Sequence, residues 1–345
     1  MTARRRSMPL VAAAAATIAL LLSLGATGHT PLPVERVDSV GLTVSDMIRA
    51  LDFYTRVLPF TAVSDVEVHG RPFELLSGVF GARARVVRLR LGDEHIELTE
   101  YLAPRGKPMP DDVRPNDRLF QHIAIIVRDI DAAYAHLRAH RVEHASTGPQ
   151  RLPDWNRAAG GIRAFYFRDP DRHFLEILEF PPGKGLPKWH RSESGLFLGI
   201  DHTAIVVHDT EASLRFYRDT LGFTVAGESE NFDVEQEHLN GVFGARLRIT
   251  ALRTPEGPGI ELLEYLSPND GRPAPADLRA NDIAHWQTTL VTGSLAEILP
   301  LARRRGLRLV SPGPVDSDDA PLGFRQAALA RDADGHGVRF VASPR

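Results

Sequence analysis

The sequence predicts an α+β fold made of four βαβββ modules that build two curved-sheet domains, and three observations carry that prediction. The first is a duplication: GVFGAR stands at 78–83 and again at 241–246. The second is that the duplication extends well beyond this hexapeptide. At the same offset Leu51-Asp52-Phe53-Tyr54 answers Leu214-Arg215-Phe216-Tyr217, and further on, two residues out of that offset, Arg114-Pro115-Asn116-Asp117 answers Arg279-Ala280-Asn281-Asp282. The third is that each half divides again into a strand, a helix and several more strands. Internal repeats of this kind outrank any local signal in deciding architecture. The order is wrong for alternating βαβ units around a parallel sheet and right for an α+β module.

Each module opens on a short run rich in β-branched residues, at 40–44, 122–127, 202–207 and 285–291, where length and composition favour strand over helix. Ser45, Asp129, Asp209 and Ser294 follow as N-cap candidates. Apolar spacing then turns helical. Leu51, Tyr54 and Leu58, and again Leu214, Tyr217 and Leu221, fall on one helix face that should cover a sheet. Pro300 inside the fourth helix implies a kink or a late start. The closing strands fall at 96–101, 174–180, 260–265 and 338–342. Domain boundaries follow: one domain over 36–183 (modules 36–105 and 118–183), a Pro/Gly/Lys-rich linker over 184–196, and a second domain over 197–345 (modules 197–268 and 282–345).

The 345 residues therefore allow two cores. Ahead of them, Arg4 to Arg6 precede an apolar run over 10–24 and small residues at Gly25, Ala26 and Gly28. That order is expected of a signal peptide over 1–28, with export to a periplasmic or extracellular space; an uncleaved N-terminal membrane anchor is the alternative. No later segment is apolar enough for a span. Removing the leader removes three arginines and no acid, taking the net charge from −3 to −6. A mildly acidic chain offers no footprint for nucleic acid, so the expected partner is a small-molecule substrate, with oligomeric state left open. The absence of cysteine excludes disulfides, thiolate metal sites and a cysteine nucleophile.

Aligning the opening strands through QHIAIIV, DHTAIVV and AHWQTTL brings Ser39, His122, His202 and His285 to one position. Aligning the closing strands brings Glu97, Glu176, Glu261 and Arg339 to another. Imidazole and carboxylate together suit one divalent first-row ion, with zinc, nickel, manganese and iron all admissible. By strand alternation Glu261 shares its face with Leu263 and Tyr265 and opposes Ile260 and Leu262. Trp286, next to His285, belongs on the opposite, core-facing side.

These segments resemble the vicinal-oxygen-chelate superfamily, which includes glyoxalase I, bleomycin resistance proteins and extradiol dioxygenases. IDHTAIVVHDTEASLRFYRDTLGF is similar to the opening of such a module and FRDPDRHFLEILEF to its close, and the likeness runs over roughly 36–343. The resemblance implies that the opening-strand His and closing-strand Glu of two modules hold one metal. His122, Glu176, His202 and Glu261 match, while Ser39 and Arg339 depart. Pairing the second module with the third, as fused glyoxalase-like proteins do, gives that complete set and leaves both departures in the other pair. Sequential pairing instead gives Glu97, His122 and Glu176 in one half and His202, Glu261 and His285 in the other.

The resemblance implies a metal-dependent lyase or isomerase that moves a proton through an enediolate on a substrate with vicinal oxygens, with Glu176 and Glu261 as ligand and base. The alternatives are an extradiol ring-cleaving dioxygenase, against which Arg339 counts, and a non-catalytic small-molecule binder. Export makes glutathione adducts a less natural substrate. The segment 148–163, with Trp155 and Asn156, is either a lid or a plain connection, and Arg151 and Arg163 would meet an anion only if it closes.

Overall fold

The computed structural model describes residues 34–119, 121–191, 195–317 and 322–342; the signal peptide expected over 1–28 lies outside them. The first quarter contains β1 (Val34–Val44), α1 (Met47–Asp52, continued by a π-turn over Phe53–Val57), β2 (Thr61–His69), α2 (Arg71–Ser77), β3 (Arg83–Leu91) and β4 (Glu94–Ala103). The second contains β5 (Gln121–Val127), α3 (Ile130–Ala139), the short β6 (Glu143–His144) and β7 (Gln150–Arg151), β8 (Arg163–Arg168) and β9 (Phe174–Glu179). The third repeats the first, with β10 (Phe197–Val206), α4 (Thr210–Tyr217), β11 (Thr224–Asn231), α5 (Val234–Asn240), β12 (Arg246–Arg253) and β13 (Gly259–Ser267). The fourth repeats the second, with β14 (Trp286–Thr292), α6 (Leu295–Arg304), β15 (Arg308–Leu309), β16 (Val315–Asp316), β17 (Gln326–Arg331) and β18 (Gly337–Ala342). Among the described residues no helix is long and apolar enough to cross a membrane.

The odd quarters carry a helix, α2 or α5, that a plain βαβββ module lacks. Each ends on a glycine in the left-handed region, Gly78 (φ 67°) and Gly241 (φ 66°), the first residue of GVFGAR. The repeated hexapeptide is thus a helix stop followed by a turn into a strand. In the first helix the cap is Asp46, whose carboxylate accepts from Arg49 N, and not Ser45. Ser45 Oγ donates instead to Asp171. Asp129 and Asp209 cap as expected, and α6 starts at Leu295 and continues through Pro300, so no late start occurs.

Two nine-stranded sheets result, and neither is confined to one sequence half. Sheet A joins the first quarter to the fourth through antiparallel β1 and β14; sheet B joins the second to the third through antiparallel β5 and β10. In each quarter the opening and closing strands run parallel: β1 with β4, β5 with β9, β10 with β13 and β14 with β18. Alternation divides each strand between two apolar layers. Ile260 and Leu262 point to a helix-side core, while Leu263 and Tyr265 line the concave side. Helices α1 and α3 pack between the convex faces of the first two quarters, with Trp286 buried in the same cluster, and α4 and α6 do so for the last two.

Candidate metal centre

The central strands of sheet B bring four ligand-type side chains to its concave face. His122 on β5 sits across from Ala204, and His202 on β10 sits across from Ala124, so two small side chains leave room between the imidazoles. Glu176 pairs in register with Ala124, and Glu261 with Ala204. His122 Nε2 lies 3.2 Å from Glu176 Oε2, and His202 Nε2 lies 3.3 Å from Glu261 Oε2 and 3.8 Å from Glu176 Oε2. Ligands held about 2.0–2.2 Å from one ion stand roughly 3.0–3.5 Å from each other, so the two shorter separations suit a shared cation and the 3.8 Å one is slightly long. Donor atoms of His122, Glu176 and His202 all fall within 4.8 Å of one another. Glu261 is the most accessible of the four, its side chain 23% exposed against 5% or less for the others.

A supporting layer fixes the imidazole of His202. Its Nδ1 lies 3.0 Å from Asp201 Oδ2, so the proton sits on that side and Nε2 is left to face the carboxylates. His202 Nε2 is buried and has no hydrogen-bond partner among the described residues, which a bound ion would remedy. Asp201 is itself held by Arg253 Nη2 at 2.5 Å and by Trp189 Nε1 at 2.8 Å. Trp189 comes from a 3-10 turn over Pro187–His190, inside what sequence reading assigns as a linker. Burial raises the Asp201 carboxyl, but His202 and Arg253 overcome this and hold it below the usual range. Burial lowers His202, yet Glu261, Asp201 and Glu176 lift it to about 9. The field at this point is negative and favours a cation.

Sheet A carries the other two expected ligands, Glu97 and His285, and does not gather them with the rest. Arg339 donates to both oxygens of Glu97, at 2.7 and 2.8 Å, and its Nε donates to Thr289 Oγ1 at 3.1 Å, all buried. A guanidinium therefore occupies the place of a metal. His285 precedes β14 and contacts Arg331 Nη2 (3.3 Å) and Gln287 Oε1 (3.5 Å); burial, with Arg331 beside it, lowers its imidazole to about 3.

The register shows that Gln287, not His285, is the counterpart of His122. His122 faces Ala204 and pairs with Phe174; Gln287 faces Gly41 and pairs with Gly337. Helix caps mark the same register, because each ligand position precedes its N-cap by the same interval: Ser39 and Asp46, His122 and Asp129, His202 and Asp209, Gln287 and Ser294. That interval is visible in the sequence and would have found Gln287. The sheet A set is thus Ser39, Glu97, Gln287 and Arg339, which lacks both imidazoles.

Above the sheet B site the segment 148–163 turns inward. Leu152 and Ala159 pack into the concave apolar cluster with Leu239 of α5, Trp155 lies against Phe232 with ring centroids 4.3 Å apart, and Asn156 Nδ2 donates to Asn231 Oδ1 at 2.6 Å. The two arginines that would meet an anion only if this segment closed pair with carboxylates: Arg151 with Asp154 at 2.6 Å and Arg163 with Asp131 at 2.6 and 2.9 Å.

Comparison with known proteins places these observations in a family context. The model of the glyoxalase/bleomycin resistance protein/dioxygenase superfamily matches residues 36–177 and 199–340. A 2-epi-5-epi-valiolone epimerase from Actinomyces sp is 35% identical over 153 residues, 43% of this chain and 80% of that protein. Lactoylglutathione lyase of Schizosaccharomyces pombe is 26% identical over 221 residues, 62% of this chain and 66% of that protein. Among solved structures, glyoxalase I from Zea mays superposes with a TM-score of 0.56 at 16% identity, covering 89% of this chain and 92% of that one. At that identity the likeness speaks for the fold.

Proposed function

The chain belongs to the glyoxalase/bleomycin resistance protein/dioxygenase superfamily, and from that premise we infer that it is a metal-dependent lyase or isomerase of the glyoxalase type. Its reaction is proton transfer beside a carbonyl in a small substrate with two vicinal oxygens. The observation that carries this reading is the grouping of His122, Glu176 and His202, whose donor atoms lie within 4.8 Å of one another, with Glu261 Oε2 3.3 Å from His202 Nε2. His122 and His202 would hold one divalent ion together with Glu176 and Glu261. When bound, such an ion supplies Lewis acidity that makes a proton next to a carbonyl removable.

The chain's own groups divide the remaining work. Glu176 is buried between both imidazoles and is placed to hold charge. Glu261 is the more exposed carboxylate, so its free oxygen can take a proton from one carbon and return it to the next. The inward-packed residues Leu152 and Ala159 keep water from the point where that transfer happens. Two relatives, an epimerase and a lyase, agree with chemistry of this class.

Metal analysis of the purified protein tests the reading. We expect one divalent ion per chain, lost in His202→Ala and in Glu261→Ala and kept in His285→Ala. A metal-free protein with no affinity for zinc, nickel, manganese or iron would overturn it, and so would loss of the ion in His285→Ala alone.

A further inference from the structure

Helix α3 ends on a pair of imidazoles that the metal centre does not use. His136 stands in its last turn and His140 is its C-cap, so the two are four apart and share one face. Their ring centroids lie 4.4 Å apart, with the planes tilted by 45°. His140 is exposed and His136 half-buried, the latter with the Phe197 ring beside it at 5.7 Å. The helix packs on Ile123 and Ile125, the face of β5 opposite His122.

Each of the two rings is held from behind by a carbonyl. His136 Nε2 lies 2.9 Å from Val57 O, at the end of the first quarter's π-turn, and His140 Nδ1 lies 2.9 Å from His136 O. A carbonyl oxygen only accepts, so both of these nitrogens carry a hydrogen. In the neutral rings the lone pairs therefore sit on His136 Nδ1 and His140 Nε2. Metal-binding imidazoles are oriented in this way, one nitrogen donating to a carbonyl while the other is left for the ion. A separation of four on a helix also lets two imidazoles reach one ion.

The donors select the occupant. Two imidazoles suit Cu(II), Ni(II) and Zn(II), whereas Mg(II) and Ca(II) call for oxygen. No third protein ligand fixes the geometry, so the ordinary affinity order of these ions applies, with Cu(II) first. Water completes the shell, and Arg138 and Arg141 flank the pair in the chain, the former with its guanidinium over the Tyr134 ring at 5.7 Å. Such an ion exchanges readily.

We propose that His136 and His140 form a helix-side site for an exchangeable first-row divalent cation, Cu(II) most tightly. The site does not depend on the reaction assigned to sheet B.

The test titrates Cu(II), Ni(II) and Zn(II) separately into the full chain in mildly alkaline buffer. Calorimetry should find a Cu(II) equivalent with a Kd below about 100 μM, and weaker binding of Ni(II) and Zn(II) at the same place. Zn(II), followed by nuclear magnetic resonance on isotope-labelled histidine rings, should shift His136 Nδ1 and His140 Nε2. His140→Gln, a change at an exposed position, should weaken this equivalent at least about tenfold, and His202→Ala should leave it intact. Dialysis should strip it, so metal retained after purification reports the sheet B centre alone and the two sites fail or succeed separately. No Cu(II) equivalent sensitive to His140→Gln, zinc shifts confined to other histidines, or Cu(II) bound no tighter than Zn(II) would each overturn the proposal.

Discussion

At the scale of single residues, Asp201 decides which nitrogen of His202 faces the carboxylates. It accepts from Nδ1 and is itself locked by Arg253 and Trp189, so the imidazole has one orientation. Replacing Asp201 with Asn keeps the shape but removes the charge that anchors the ring. Metal affinity should fall about 10–100-fold, the usual effect of losing a supporting carboxylate. Competition titration with a chromophoric chelator would measure this, and an unchanged affinity would show that the ring is oriented by other contacts. The grouping of His122, Glu176 and His202, with Glu261 beside His202, was readable in the sequence because residue type, strand alternation and repetition agree on these residues. Asp201 was as visible, adjacent to His202, but a second-layer role is a matter of side-chain direction that spacing does not encode. His285 misled for a different reason: an imidazole near the right place outweighed the register. The N-cap interval, which belongs to the backbone, selects Gln287. Glu97 occupies the closing-strand position expected of it, with both oxygens held by Arg339.

At the scale of elements, the helix starts differ in a measurable way. Asp129 and Asp209 each accept from a backbone amide of the first helical turn, at 2.9 and 2.8 Å, whereas Ser294 makes no side-chain cap bond. Asp129→Ala and Asp209→Ala should each lower stability by about 1 kcal/mol, while Ser294→Ala should change it by no more than a few tenths. Urea unfolding of the three variants gives the comparison, and a loss at Ser294 equal to that at the aspartates would contradict the cap assignment. The opening and closing strands were legible because they are long, regular and buried on at least one face. Helices α2 and α5 were not, since each spans only seven residues and depends on a glycine stop and on packing. The segment 148–163 was ambiguous in sequence for a similar reason. Its apolar residues, Leu152, Trp155, Ala158, Ala159 and Ile162, follow neither strand nor helix spacing, and only the concave packing of Leu152 and Ala159 shows that it lies over the site.

At the scale of the whole molecule, the four quarters form a closed circuit of interfaces. Helix-side apolar clusters join the first quarter to the second and the third to the fourth. Concave clusters join the fourth to the first and the second to the third. Sequence repeats reveal the halves because duplication copies neighbouring modules together, but the sheets close across the halves and split the candidate ligands evenly between them. His122 and Glu176 come from the first half, His202 and Glu261 from the second. Cutting the chain within 184–196 should therefore leave two fragments, each with the long strands β1 and β5, or β10 and β14, exposed as unpaired inner edges. Such edges seek partners, so neither fragment should be a monomer when alone, and an equimolar mixture should convert to a one-to-one complex. That complex should regain metal binding with the intact chain's stoichiometry, because only it unites the second quarter with the third. Light scattering after size exclusion, with metal content read on the same peak, measures both. A fragment that runs as a stable monomer would mean that the helix-side cores suffice for folding and that the concave interfaces are secondary.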